Sequence, residues 1–244
     1  MNSLVRRVAN QIENRVSGLL VQKWRDHRRF EEQHLGRLLK HLTIDCVFDV
    51  GANIGQYGLM LREYCGYTGL IVSFEPTPGV AEQLKRNSAK DAKWVVKECA
   101  MGLAKGKATF RTMVDSSEGN SFLPLRPEED KDIKIAEITV DVECLADLFP
   151  QLQKQYGFTR PFLKMDTQGF DLQVFEGAGD AIRSFIGLQS ELSVDPFYQG
   201  VADWKNSLAH YEKAGFVLSA LVPNNDDWFP KLREVDCLMY RPGM

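Results

Sequence analysis

The sequence predicts an α/β fold: a mostly parallel seven-stranded sheet with helices on both faces, one antiparallel strand, N-terminal helices and a small β insertion. Three observations carry that expectation. Short apolar runs at 46–50, 70–74, 94–98, 162–166, 186–192 and 216–222 are separated mainly by segments of helical period, as parallel strands joined by crossover helices are. The last run, 235–240, follows 216–222 with no helical segment between, so those two should form an antiparallel hairpin. The first run ends in a glycine turn and the second in an acidic residue, which is where open sheets bind ligands.

Residues 2–24 carry Leu4, Val5, Val8, Ile12, Val16, Leu19 and Leu20 at helical spacing, with Arg6, Arg7, Glu13 and Arg15 between them. A second helical stretch holds Phe30, Leu35, Leu38, Leu39 and Leu42. Three roles are open to this segment: a layer packed on the domain or on a sister subunit, an amphipathic helix on an anionic membrane surface, or a lid over the active site. We divide the chain into a helical segment, 1–43, and a main domain, 44–244. Further helices are expected over 79–90, up to Tyr156, over 170–185 and over 201–214. Residues 100–113 read as a hairpin with Gly102 and Gly106 near its turn, and 135–142 as another strand. The polar stretch 114–132 reads as a long loop, and loops of that length are often functional.

The 244 residues, 44% hydrophobic, suffice for one large α/β domain. No apolar run approaches the ~20 residues that span a bilayer. The run Val16–Val21 is short and flanked by charges, so no secretory signal is expected. Five cysteines without a CxxC pair suit a reducing cytoplasm and argue against a zinc site. Residues 1–40 hold nine Lys or Arg against four Asp or Glu, whereas the remainder holds 21 against 29. This basic segment lacks the interleaved aromatics of a single-strand platform, and the body is acidic, so nucleic acid is not an expected partner.

The stretch Cys46–Tyr57, CVFDVGANIGQY, reads as a buried strand, a tight turn and the first turn of a helix. Gly51 and Gly55 suit such a turn because glycine reaches positive φ freely and allows close approach to the backbone. Asp49 precedes the turn, Asn53 lies inside it and Tyr57 opens the helix. Glu75, at the end of the second strand, lies 24 positions after Gly51. A carboxylate there is the usual partner of the two ribose hydroxyls of an adenosine cofactor, because it only accepts and can take both. Pro76 holds Glu75 in extended geometry. Asp49, Gly51, Asn53, Glu75, Glu98 to Ala100, Asp166 and Glu191 all fall on or just past strand ends. One reversed strand near the sheet edge fits S-adenosylmethionine-dependent methyltransferases better than nicotinamide enzymes.

The blocks FDVGANIGQY, SFEPTP, FLKMDTQGFDLQVFEGA and QSEL resemble the signature blocks of FkbM-type methyltransferases over about residues 44–240. The resemblance implies a Rossmann-like class I methyltransferase fold, S-adenosylmethionine as methyl donor, and O-methylation of a hydroxyl on a sugar, glycan or natural product. Thr167-Gln168 stands where relatives commonly carry Val-Glu, which weakens any role for an acid at 168. On this reading the Gly51 turn and Asn53 hold the methionine part, flanked by Gly55 and Tyr57, with Asp49 accepting from its amino group or orienting the turn. Glu75, backed by Pro76, holds the ribose, and Cys99 and Ala100 flank the adenine.

A hydroxyl acceptor benefits from a base that takes its proton. Asp166 is the first candidate and Glu191 the second. Lys164, two residues before Asp166, points to the same sheet face and could pair with it. Asp166 and neighbouring acids could instead hold Mg²⁺, but no ligand spacing demands it and no metal site is assigned. His27, His34, His41 and His210 read as structural or surface residues. Phe197, Tyr198, Trp204, Trp228 and Phe229 could line a substrate pocket or pack in the core. The alternative, a nicotinamide-dependent oxidoreductase, would need GxGxxG where this chain has Gly-Ala-Asn-Ile-Gly, and has little room for a substrate domain. The expected partner is a small-molecule or glycan acceptor in the cytoplasm. A homodimer and a peripheral membrane contact through the N-terminal helix stay open.

Overall fold

The structure is a computed structural model that describes residues 30–129, 133–223, 228 and 230–243. The helix expected over 2–24, the roles weighed for it, His27 and Phe229 lie outside the described residues. Helix α1 spans 30–41. It is followed by β1 (Cys46–Val50), α2 (Gln56–Glu63), β2 (Leu70–Phe74), α3 (Pro78–Ser88), β3 (Trp94–Lys97), β4 (Ala100–Met101), β5 (Gly106–Met113) and β6 (Ile135–Glu143). Then come α4 (Leu145–Tyr156), β7 (Pro161–Met165), α5 (Asp171–Glu176), a 3₁₀ turn (Gly179–Ser184), β8 (Gly187–Ser193), α6 (Trp204–Lys213), β9 (Val217–Pro223) and β10 (Glu234–Tyr240).

Seven strands form one sheet in the order β3-β2-β1-β7-β8-β10-β9. All neighbours from β3 to β8 pair in parallel, and β10 runs antiparallel to both β8 and β9. The sheet is therefore mostly parallel with one reversed strand, as expected, in a Rossmann-like α/β architecture. Chain order reverses between β1 and β7. Connections leaving those two strands diverge, which opens a crevice beyond their carboxyl ends.

Strand alternation divides the core. Cys46, Phe48 and Val50 of β1 join Leu163, Leu188 and Cys237 under α4, α5 and α6. Val47 joins Ile71, Phe162 and Leu238 on the opposite face, covered by Leu35, Leu38 and Leu39 of α1, Met60 and Leu61 of α2 and Leu84 of α3. Helix α1 thus packs on the sheet. The five cysteines are free thiols.

Two local expectations are corrected. Residues 100–113 are not a hairpin: β5 pairs antiparallel with β6, β4 pairs parallel with β6, and the polar stretch after Met113 is the connection of the β5–β6 pair. Eight-residue β5 finds more pairing along nine-residue β6 than two-residue β4 could offer it. The helix expected over 170–185 stops at Glu176, because Gly179 takes a φ of +50° and the chain tightens into the 3₁₀ turn.

Candidate active site

The strand face under α1, α2 and α3 should be apolar throughout, and at its carboxyl end it is not. Alternation puts Asp49, Ser73, Lys164, Gln189 and Asp236 on that face, all buried. They are joined. Trp94 Nε1 donates to Ser73 Oγ (2.9 Å), and Ser73 Oγ donates to Asp49 Oδ2 (2.8 Å). Asp49 Oδ1 pairs with Lys164 Nζ at 3.1 Å, and Lys164 also donates to the Gly51 carbonyl (3.1 Å) and lies 3.5 Å from Asp166 Oδ2. Burial alone would lower the pKa of the Lys164 ammonium, but Asp49 and Asp166 outweigh it and hold it above its ordinary value, so the group stays charged.

Above this floor lies a cavity of about 660 Å³. Its first half is built by the tips of β1, β2 and β3. Gly51, Asn53, Glu75, Pro76, Cys99 and Ala100 line it, with Met101, Phe110 and Phe122 as apolar flanks. Gly51 has a φ of +75°, and a Cβ there would lie 1.8 Å from the Asp166 carbonyl oxygen, so only glycine lets the turn lie against the end of β7. Glu75 is aimed by two backbone amides: Asn53 N–H donates to Oε2 (3.0 Å) and Thr77 N–H to Oε1 (2.9 Å). Burial raises the pKa of its carboxyl, and these hydrogen bonds oppose the rise. Burial likewise pushes the Cys99 thiol up to about 12, so it stays protonated.

The second half is acidic. Asp166, Glu191, Glu234 and Asp236 line it from β7, β8 and β10, and Glu31 reaches it from α1. The phenol of Tyr57 donates to Gln189 Oε1 (3.0 Å), and Gln189 Nε2 donates to Glu31 Oε1 (2.8 Å). Gln168, held at a φ of +54°, donates Nε2 to Asp166 Oδ1 (3.2 Å) and Glu191 Oε2 (3.0 Å). An amide can bridge two carboxylates where a third acid would repel them. Burial and the surrounding acids raise Glu191 and Asp236 well above the usual carboxylate range and bring Glu234 to about 7.

Asp171 fastens the turn beneath. Its Oδ1 accepts from Thr167 N–H (2.8 Å) and Oγ1 (2.5 Å), and its Oδ2 from Ser190 Oγ (2.8 Å) and Glu191 N–H (3.0 Å). Ser117, Glu118 and Asn120 of the long polar connection form the outer wall, where Ser117 Oγ donates to Asn53 Oδ1 (2.7 Å).

Ten of the twelve sequence-chosen residues line this one cavity: Gly51, Asn53, Tyr57, Glu75, Pro76, Cys99, Ala100, Lys164, Asp166 and Glu191. Two do not line it. Asp49 is fully buried and turned into the sheet, where it serves as the counter-ion of Lys164 rather than a wall of the cavity. Gly55 backs onto Leu84 and the Trp94 ring. Phe197, Tyr198, Trp204 and Trp228 do not line the cavity either; the Arg233 guanidinium lies 3.5 Å from the Phe197 ring centroid and 4.7 Å from that of Trp228. Sequence reasoning missed Glu31, Gln189, Glu234 and Asp236. An acidic residue inside the apolar run of β10 was the available signal for Asp236. Among the described residues no group of three or more His, Cys, Asp or Glu side chains could hold a metal ion, and no helix is long and apolar enough to cross a membrane.

The family profile described as the methyltransferase FkbM domain matches residues 49–221. Among solved structures, an FkbM methyltransferase from Methylobacillus flagellatus KT is similar at 16% identity and a TM-score of 0.50, over 80% of this chain and 43% of that one. The chain therefore spans less than half the length of that protein. A fibrillarin pre-rRNA processing protein from Methanococcus jannaschii gives 10% identity and a TM-score of 0.45, over 82% of this chain and 68% of that one. An Aeropyrum pernix fibrillarin with natively bound S-adenosyl-L-methionine gives 11% and 0.43, over 80% and 66%. No curated protein matches the chain.

Proposed function

The chain belongs to the FkbM-domain methyltransferases, and from that premise we propose that it moves a methyl group from S-adenosylmethionine to a hydroxyl oxygen of a sugar, glycan or natural product. One observation carries the donor assignment. Glu75, at the tip of β2, faces the cavity that holds the Gly51 turn and Asp166, with its carboxylate aimed by the Asn53 and Thr77 amides. A carboxylate only accepts hydrogen bonds, which suits it to ribose hydroxyls.

The residues present fit the donor. The apolar flank of Cys99, Ala100, Met101 and Phe110 suits a base ring, and the acidic second half suits a cationic sulfonium and ammonium. Gly51 and Asn53 would hold the methionine part, Glu75 the ribose, and Cys99 and Ala100 the adenine. When bound, S-adenosylmethionine supplies a methyl group on a positively charged sulfur. The chain's own work is positioning, exclusion of water and removal of the acceptor's proton. Lys164 stays charged and so orients Asp166 and the Gly51 carbonyl rather than acting as a base. Asp166 and Glu191 are the carboxylates at the tips of β7 and β8 that can take the proton.

The test is a screen of sugars, nucleotide sugars, glycans and small phenols with labelled donor. Label transferred to a hydroxyl oxygen supports the reading. Label transferred only to nitrogen or carbon overturns the oxygen assignment.

A further inference from the structure

Asp236 stands directly opposite Glu191 in the antiparallel register of β10 and β8. Both side chains are more than nine-tenths buried, and both line the second half of the cavity. Directly opposed residues on neighbouring strands have Cβ atoms about 4.5–5.5 Å apart, and two like charges there repel. We infer that Glu191 and Asp236 share one proton as an acid–carboxylate pair, and that this pair, rather than Asp166, takes the proton of the acceptor hydroxyl. The inference rests on the methyl-transfer reading above and adds Asp236 to its machinery.

The surroundings distinguish the two possible bases. Asp166 lies 3.5 Å from the charged Lys164 ammonium through Oδ2 and accepts from Gln168 through Oδ1, so both its oxygens already have partners. The Glu191–Asp236 pair lies among acids. Glu191 faces Asp166, Glu234 of β10 and Asp171 below, and accepts a hydrogen bond from Gln168. Asp236 faces Glu31 of α1, Tyr57 of α2, Asp166, Gln189 of β8 and, from β7, the cation Lys164. Burial with like charges favours the protonated form, and two such carboxyls lose their protons in two separated steps. The first loss leaves one ionised oxygen with raised basicity facing the cavity. In the transfer, the acceptor O–H bond breaks as its oxygen gains the methyl group. The proton passes to that ionised oxygen, and the donor leaves as the neutral thioether, so charge and atoms balance.

The experiment is a carbon-13 NMR titration of protein labelled at Asp and Glu side-chain carboxyls, run on wild type, D236N and E191Q, with S-adenosylhomocysteine affinity measured on each. In wild type the pair should titrate in two steps, one far above the ordinary carboxylate range. This readout needs no variant. D236N should bring the Glu191 step down, and E191Q should bring the Asp236 step down. Each variant should lose roughly a hundredfold in turnover of any acceptor found by the screen. Independent single-step titrations near ordinary values, or D236N turning over at wild-type rate, would overturn the inference. Failure of wild type to bind S-adenosylhomocysteine would instead overturn the donor reading, whatever the titration gives.

Discussion

Lys164 Nζ, in the cavity floor, lies 3.1 Å from Asp49 Oδ1 in the sheet below, and both side chains are almost wholly buried. The pair connects two parallel neighbours, β1 and β7, whose registers place Asp49 beside Lys164. It stands at the point where strand order reverses, so one buried contact fixes both the Gly51 turn and the Asp166 loop.

Removing the ammonium leaves a buried carboxylate without its counter-charge. Lys164→Met should therefore destabilise the protein by roughly 3–5 kcal/mol, the usual cost of breaking a buried pair from one side. Asp49→Asn added to Lys164→Met should recover much of that loss. Urea unfolding of the two single variants and the double variant measures this, and simple additivity would show that the two groups are not coupled.

Gly51→Ala meets the Asp166 carbonyl at 1.8 Å as well as a φ of +75°. The left-handed backbone alone costs about 1–2 kcal/mol, and the overlap forces β1 and β7 apart. A lower melting temperature and lost S-adenosylhomocysteine binding are expected together. Unchanged binding would show that the turn does not shape the site.

Glu234 has a pKa raised from 4.5 to about 7 by burial and by Asp166. A carboxyl with a raised folded-state value favours the folded state while protonated. That contribution is complete below 4.5 and is lost as pH rises to about 7. Stability of the ligand-free protein should fall across this window, and Glu234→Gln should flatten that part of the profile. A wild-type slope that survives in Glu234→Gln would place its origin elsewhere.

The layered sheet was legible in the sequence because each parallel strand is a short apolar run, and the paired absence of a helix before β10 gave away the reversed strand. The first half of the cavity was legible for a similar reason: Gly51 and Glu75 sit at strand tips, where spacing along the chain translates directly into position. The second half was not. Glu31 comes from α1, outside the matched family residues, and reaches the site only because Leu35, Leu38 and Leu39 pack α1 on the sheet. Asp236 faces Glu191 through a pairing between segments far apart in the chain, and nothing local fixes that register. The partner of β5 was misplaced for the same reason, since β6 lies beyond the long polar connection.

Titration calorimetry with S-adenosylhomocysteine and NAD, side by side on wild type and Glu75→Ala, bears most directly on the account. Hydrogen bonds to a charged group contribute about 1.5–3 kcal/mol, so wild type should bind the nucleoside thioether and ignore NAD, and the variant should bind it roughly ten- to a hundredfold more weakly. No heat with S-adenosylhomocysteine, or a loss below about twofold in Glu75→Ala, would contradict a site assembled from the tips of β1, β2 and β7.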